Sequence, residues 1–203
     1  TQVYNNIGKI DYKIKNYEEA INNFQNVLKI DDKFTEAYAN LAKAYNKINE
    51  HKKAIENYLK YLEFEPEDAS ILNKLGIIYH NIAKYDDAIN CFKKSINAEP
   101  SNYITHKNLG NVYLKKREDE NAIESFLKAV DIEPKDDDAY NKLGIAYSHK
   151  KKYKIAIKSY KKAIEINPNN HYYHNNLGVS YSRVSDYKNA VKKKKKSAKV
   201  EPK

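Results

Sequence analysis

Small and apolar residues recur along the chain at a fixed interval of 34 residues. Alanine occupies the twentieth position of every interval, from Ala20 to Ala190. Such a period indicates one structural unit copied along the chain, so the fold is predicted from the repeat. Counted from Thr1, the six units are residues 1–34, 35–68, 69–102, 103–136, 137–170 and 171–203.

Within a unit, the apolar residues follow the spacing of two helices. In the fifth unit, one stripe at i, i+3, i+4 and i+7 consists of Tyr140, Leu143, Gly144 and Tyr147, and a second consists of Ala156, Tyr160, Ala163 and Ile164. A unit of this size cannot bury its stripes alone, so neighbouring units are predicted to stack.

Glycine, proline and aromatic residues occupy fixed columns of the repeat. All five glycines lie at position 8 of a unit, which favours close helix packing over a phosphate-binding loop. All five prolines lie at position 32, where they are predicted to end the second helix. Position 24 is aromatic in five units, and Lys194 replaces the aromatic residue in the sixth.

These columns resemble the tetratricopeptide repeat family, whose 34-residue pattern places Leu-Gly, Tyr, Ala, Phe and Pro in this order. The resemblance covers all 203 residues and departs from the family at position 4, which lacks tryptophan, and in the second half of the sixth unit. It implies an all-α fold of antiparallel helix pairs, stacked as a right-handed superhelical solenoid in a single array over residues 1–203.

Composition limits the class of protein. The apolar runs are too short for a membrane span, and the 41% hydrophobic content is enough for a core one layer thick. Cys91 is the only cysteine, which excludes an intramolecular disulfide and favours a reducing, cytoplasmic location. The chain has no start methionine and begins directly with helix residues, so we expect it to be a fragment, or a mature piece, of something longer.

No catalytic apparatus is visible in the sequence. Cys91 has no neighbouring histidine and is interpreted as a structural thiol. His171 and His174 lack the further ligands that a structural zinc site needs. The chain is therefore predicted to be neither an enzyme nor a cofactor or metal protein.

Charge is concentrated in particular columns. The family resemblance implies that positions 2, 5, 6, 9, 12 and 13 line a concave groove. Those columns hold two acids, Glu36 and Asp138, and nine cations: Lys9, Lys13, Lys43, Lys47, Lys74, Lys107, Lys115, Lys142 and Arg183. The whole chain has 37 basic and 27 acidic residues, so the groove is predicted to be far more basic than the rest.

Asparagine is the second residue type enriched in these columns: position 5 has Asn5, Asn73, Asn141 and Asn175, position 6 has Asn6, Asn40, Asn108 and Asn176, and position 9 has Asn111. A carboxamide both donates and accepts hydrogen bonds, so these side chains could hold the backbone of an extended peptide. The lysines would hold carboxylates or phosphates as point charges. Lysine and asparagine are abundant throughout the chain, so a solvated face that only reflects this bias is the alternative.

Two versions of the family bear on this groove. Modules that grip the acidic C-terminus of heat-shock chaperones use a lysine–asparagine pair that Lys107 and Asn111 match, but the following unit has Lys142 where asparagine is expected. The asparagine column itself resembles the peptide-threading superhelix of O-linked N-acetylglucosamine transferases, although no transferase domain is present.

The sixth unit differs from the others because its predicted second helix, Tyr187–Val200, contains five consecutive lysines, Lys192–Lys196. This helix is predicted to end the stack, where a polar face is needed. Alternatively, these lysines contact nucleic acid or an anionic membrane, although the groove itself lacks the regular aromatic stacking platform of single-strand binders and is not predicted to bind nucleic acid.

The sequence thus predicts a scaffold that binds an extended or acidic peptide of a protein partner. The alternatives are a targeting arm of a larger enzyme, such as a glycosyltransferase, and a scaffold that self-assembles through its open repeat ends.

Overall fold

The computed structural model describes the backbone of residues 1–197 and the side chains of residues 1–185. These residues form helices and no strand, which confirms the predicted all-α repeat fold. The helices are α1 (Gln2–Lys13), α2 (Tyr17–Ile30), α3 (Thr35–Lys47), α4 (His51–Phe64), α5 (Ala69–Asn81), α6 (Tyr85–Ala98), α7 (Tyr103–Lys116), α8 (Asp119–Ile132), α9 (Asp137–His149), α10 (Tyr153–Ile166) and α11 (His171–Ser197). None of those described is both long enough and apolar enough to cross a bilayer.

The turn between the two helices of a repeat has the same backbone geometry in the first five repeats. The residue at position 15 is left-handed, with φ between 57° and 66°, and the five residues are Lys15, Asn49, Ala83, Arg117 and Lys151. The next amide donates to the carbonyl at position 11, as Lys84 does to Tyr79 at 2.9 Å. This is a Schellman ending, and here it is built without the glycine that usually supplies it.

The start of the first helix is fixed by a side-chain cap in three repeats. The position 34 side chains of Asp68, Asn102 and Asp136 accept hydrogen bonds from the backbone amides of Ile71, Thr105 and Ala139. Such a cap satisfies one of the amides that a helix N-terminus leaves unpaired.

In the first, third, fourth and fifth repeats, the core of the hairpin is an aromatic ring packed on a glycine, whereas the second repeat has Ala42 at the glycine position. A Cβ atom added to Gly76 would lie 2.7 Å from Phe92 Cε1, and one added to Gly144 would lie 2.6 Å from Tyr160 Cε1. The rings of Phe92 and Tyr160 are buried. The packing role predicted for positions 8 and 24 is therefore confirmed.

The chain of 34-residue repeats divides into two larger compact units: the first unit is Thr1–Pro100, and the second unit is Ser101–Lys203. The first contains α1–α6 and the second contains α7–α11. Within each unit the two helices of a repeat pack together, and a second helix packs on the next first helix, as α2 does on α3 and α8 on α9. A single array over all six repeats stays a prediction.

The sixth repeat corrects one expectation. Instead of a separate second helix starting at Tyr187, α11 continues from His171 to Ser197 without a break. Ser185, at position 15, stays helical where the earlier repeats turn. Position 24 of this repeat is Lys194 instead of an aromatic residue. A Cβ atom added to Gly178 would have no described atom within 4 Å. The side chains of Lys192–Lys196 lie outside the described part of the chain, as do residues 198–200, the end of the predicted second helix.

Candidate functional site

Three of the predicted groove lysines line one pocket in the first compact unit, Thr1–Pro100. Lys43, Lys47 and Lys74 line a pocket of about 200 Å³ together with Tyr12, Asn46, Tyr58, Ile77 and Ile78. We call it the lysine pocket. Its described lining residues come from the first helices α1, α3 and α5 and from α4, and they include three ammonium groups and no carboxylate.

Burial and a neighbouring charge both act on the ammonium of Lys43. It is half-buried, and burial, followed by the positive charge of Lys74, lowers the pKa of Lys43 from its ordinary value. Its Nζ donates to Asn40 Oδ1 at 3.3 Å, a neutral acceptor. Lys74 Nζ likewise donates to a neutral oxygen, Ser70 Oγ, at 2.6 Å. Among the described residues, no carboxylate makes a direct contact with Lys43 or Lys74, although the charges of Glu36 and Asp68 partly offset the repulsion at Lys43.

A second group of predicted residues forms a hydrogen-bonded chain between α1 and α3. Lys9 Nζ lies 2.9 Å from Glu36 Oε1, and Asn5 Nδ2 donates to Glu36 Oε2 at 3.1 Å. Asn40 Nδ2 in turn donates to Asn5 Oδ1 at 3.2 Å. Asn5 is fully buried and Asn40 is 7% exposed, so these amides join neighbouring repeats.

Lys107 makes a corresponding internal contact in the second unit. Its Nζ lies 2.5 Å from Asp136 Oδ2 and 3.9 Å from Asp138 Oδ2, and its side chain is only 20% exposed. The two acids of the predicted groove, Glu36 and Asp138, thus each lie beside a groove lysine. This pairing neutralises Lys9 and Lys107 within the protein.

The second unit also repeats the asparagine contact. Asn176 Nδ2 donates to Asn141 Oδ1 at 2.9 Å, with the same positions within the repeat as Asn40 and Asn5. Asn141 is buried. The carboxamides of Asn40, Asn141 and Asn176 therefore bind other side chains of the protein.

The remaining predicted residues differ in their exposure. Asn6 is exposed and accepts from Gln2 Nε2 at 3.2 Å. Lys13 and Arg183 are exposed, and the half-buried residues are Asn73, Asn108, Asn111 and Lys142.

Sequence reasoning missed the contribution of Tyr12 and Tyr58 to the lysine pocket. Tyr12 stands at position 12, one of the groove columns, so its column could have indicated it. Tyr58 occupies the packing column at position 24 and is buried. Nothing in the sequence indicates that Tyr58, among the aromatic residues of this column, also lines a pocket.

Family models match the chain along most of its length. A TPR repeat model matches residues 8–49, 43–82 and 118–150, and tetratricopeptide repeat models match residues 69–102, 137–170 and 159–192. The chain belongs to the tetratricopeptide repeat family. No curated protein matches it.

Solved structures share the fold. A crystal structure of MamA superposes with a TM-score of 0.77 at 29% identity, over 80% of this chain and 95% of that chain. MamA from Desulfovibrio magneticus RS-1 gives 0.78 at 21% identity, over 83% and 96%. YrrB, described as a TPR protein with an unusual peptide-binding site, gives 0.76 at 19% identity, over 85% and 89%. These proteins are what the chain resembles in fold.

Proposed function

We propose that the chain is a non-enzymatic scaffold that captures an extended acidic segment of a protein partner, and that the lysine pocket holds the negative charge of that segment. The observation that carries this proposal is the clustering of Lys43, Lys47 and Lys74 around one cavity, in which no carboxylate is found among the lining residues that the structure describes. A carboxylate from outside the chain would relieve the repulsion between these ammonium groups.

The pocket suits a peptide better than an isolated ion. The aromatic ring of Tyr12 and the side chain of Ile77 border the three lysines, so the methylene groups of a glutamate would find apolar contacts beside its carboxylate. The side chain of Asn6 is exposed on α1, and although its Oδ1 accepts from Gln2 Nε2, its amide N–H groups could donate to a peptide backbone.

The contacts within the protein reduce the number of residues that we propose to bind the peptide. Lys9, Asn40, Lys107, Asn141 and Asn176 already bind side chains of the protein, so their first role is to join repeats. The acidic partner is therefore assigned to Lys43, Lys47 and Lys74 rather than to the whole column set. A role as the targeting arm of a larger enzyme stays a prediction, as does the cytoplasmic location.

Charge reversal tests the proposal. The test variant carries Lys43→Glu, Lys47→Glu and Lys74→Glu, and the matched control carries Lys33→Glu, Lys52→Glu and Lys93→Glu, all exposed residues of the same unit. The ligand is a fluorescent peptide of alternating glutamate and serine, and its analogue has glutamine in place of glutamate. Anisotropy gives the affinity of each pair.

The test variant should bind the glutamate peptide at least about tenfold more weakly than the control, a loss of about 1.4 kcal/mol. Wild-type binding should weaken as salt is added, because screening shortens the range of exposed charges. Equal affinities of the test and control variants, with circular dichroism showing both folded, would remove the pocket from the proposed function.

A further inference from the structure

A tyrosine of the packing column lines the lysine pocket in the second repeat. This residue, Tyr58, lies at position 24 and is only 2% exposed. Three other repeats have a buried phenylalanine at this position: Phe24, Phe92 and Phe126. The hydroxyl is the group that distinguishes Tyr58 from these residues, and it belongs to a side chain that borders three ammonium groups.

The two tyrosines of this column differ in what their hydroxyls contact. In the fifth repeat, Tyr160 Oη lies 3.3 Å from Ser148 Oγ, so that hydroxyl is bound within the protein. Among residues 1–185, no hydrogen bond is found for the hydroxyl of Tyr58, nor for that of Tyr12, which lines the same pocket. Both hydroxyls can therefore donate to a ligand.

Burial keeps these two phenols in their neutral form, which has a proton to donate. Desolvation raises the pKa of Tyr58 above its ordinary value of 10.0, and the nearby Tyr12 raises it further. Burial, followed by the nearby Tyr17, likewise raises the pKa of Tyr12. The pocket thus combines two neutral hydroxyl donors with three ammonium groups.

These donors outnumber the oxygens of a single carboxylate, which has two. A phosphate monoester has three terminal oxygens and a charge of about −1.5 to −2 at pH 7. Its hydrogen bonds from ammonium groups are charge-assisted and stronger than neutral ones. The charge on Lys43, which burial and Lys74 both disfavour, would be stabilised more by this anion than by one carboxylate.

We propose that the lysine pocket binds the phosphate monoester of a phosphorylated serine or threonine within the acidic segment of the partner. This inference rests on the proposed function and names the group that the pocket selects. Lys43, Lys47 and Lys74 balance the charge of the phosphate, and the hydroxyls of Tyr12 and Tyr58 donate to its terminal oxygens. A nucleic acid phosphate carries a single negative charge and therefore matches three ammonium groups less well.

Two peptides derived from the glutamate–serine peptide test the inference by anisotropy. The first carries one phosphoserine at its centre. The second is matched in length and charge, because glutamate replaces the phosphoserine and one further serine. The phosphopeptide should bind the wild-type chain at least about tenfold more tightly than the charge-matched peptide, since one phosphate presents three oxygens and up to two charges at a single point.

The variant Tyr58→Phe removes the hydroxyl and keeps the ring. It should fold, because three other repeats have phenylalanine in this column, and circular dichroism checks its helicity. It should lose about three- to tenfold in affinity for the phosphopeptide and keep the wild-type affinity for the charge-matched peptide. The matched control is Tyr160→Phe in the second unit, which should leave both affinities unchanged. Wild-type affinity of Tyr58→Phe for both peptides would overturn the role of the hydroxyl.

The outcomes separate this inference from the proposed function. A phosphopeptide that binds no more tightly than the charge-matched peptide would overturn the inference and leave the proposed function standing, whereas failure of both peptides to bind would remove both. Inorganic phosphate and a single-stranded oligonucleotide serve as competitors. Displacement of the phosphopeptide by an equal concentration of either one would show that the pocket does not select a phosphorylated protein segment, and would also overturn the inference.

Discussion

The side-chain amide of Asn40 donates to Oδ1 of the fully buried Asn5, and the bond joins α3 to α1. The same bond recurs in the second unit between Asn176 and Asn141. Both pairs link position 5 of one repeat to position 6 of the next. A residue column that resembles a peptide ladder in sequence therefore also holds adjacent repeats together.

Replacing Asn40 with leucine should lower the free energy of unfolding by about 1–3 kcal/mol, because Asn5 is left with an unsatisfied buried oxygen. Asn5→Leu combined with Asn40→Leu should cost less than the two single changes added together. The control, Asn6→Leu at an exposed site, should change stability by no more than about 0.5 kcal/mol. Urea denaturation measures all four; additive effects would contradict the pairing.

Two glycine substitutions in the second unit should act in opposite directions. Gly178→Ala adds a methyl group to open space, so the better helix propensity of alanine should stabilise the protein by up to about 1 kcal/mol. Gly144→Ala drives the methyl into the buried ring of Tyr160 and should destabilise it by about 1–3 kcal/mol. Thermal melts compare the two. Destabilisation by Gly178→Ala would show that another helix covers this face of α11.

Ala83 offers a gain in stability because its φ of 61° is unfavourable for a residue with a Cβ atom. Glycine removes that penalty but adds conformational entropy to the unfolded chain. Ala83→Gly should therefore raise stability by a few tenths to about 1 kcal/mol. The comparison is Ala98→Gly at the end of α6, which should lower stability. Chemical denaturation of both variants gives the difference, and a loss from Ala83→Gly would contradict the left-handed turn.

Glu36 predicts an acid-dependent step in stability. The hydrogen bond from Lys9 lowers the pKa of Glu36 from its ordinary value of 4.5, against the opposing effect of burial. The unfolded chain then binds more protons than the folded one in this range, so the contribution of Glu36 is complete above pH 4.5 and is lost as the pH falls through the folded pKa.

Glu36→Gln should therefore flatten the loss of stability on acidification below pH 4.5, while Glu56→Gln, at an exposed position, should leave the slope as it is in the wild type. Melting temperatures across that range provide the measurement. Parallel curves for wild type and Glu36→Gln would contradict the claim that the contact with Lys9 stabilises the ionised form of Glu36 in the folded protein.

Much of the fold follows from the 34-residue period, because the glycine, aromatic and proline columns each have one steric role. The glycine at Gly76 meets Phe92 as the columns require. Chain turns were harder to predict: position 15 is left-handed, yet it is occupied by lysine, asparagine, alanine and arginine. The sequence also did not predict that α11 is uninterrupted. Ser185 is helical, and its residue type does not distinguish it from the lysine, asparagine, alanine and arginine residues that turn at the same position of the earlier repeats.

For the site, the groove columns contain Lys43, Lys47 and Lys74, and these three lysines line one pocket, while their role in binding a peptide stays a prediction. What the columns could not show is which lysines are already paired. The contact of Lys107 with Asp136 depends on a helix cap at position 34, outside the columns considered. Pairing between repeats depends on distances across the helix interface, which a one-dimensional pattern does not contain.

The most direct test of the lysine pocket is an NMR titration of the lysine ammonium groups, after reductive ¹³C-methylation, with and without the glutamate–serine peptide. Free protein should show Lys43 with a pKa below its usual range, and bound peptide should raise the pKa of Lys43 because a carboxylate stabilises the charged form. The exposed Lys52 serves as the internal reference. A pKa of Lys43 that stays the same at saturating peptide would contradict the claim that this pocket holds the negative charge of the partner.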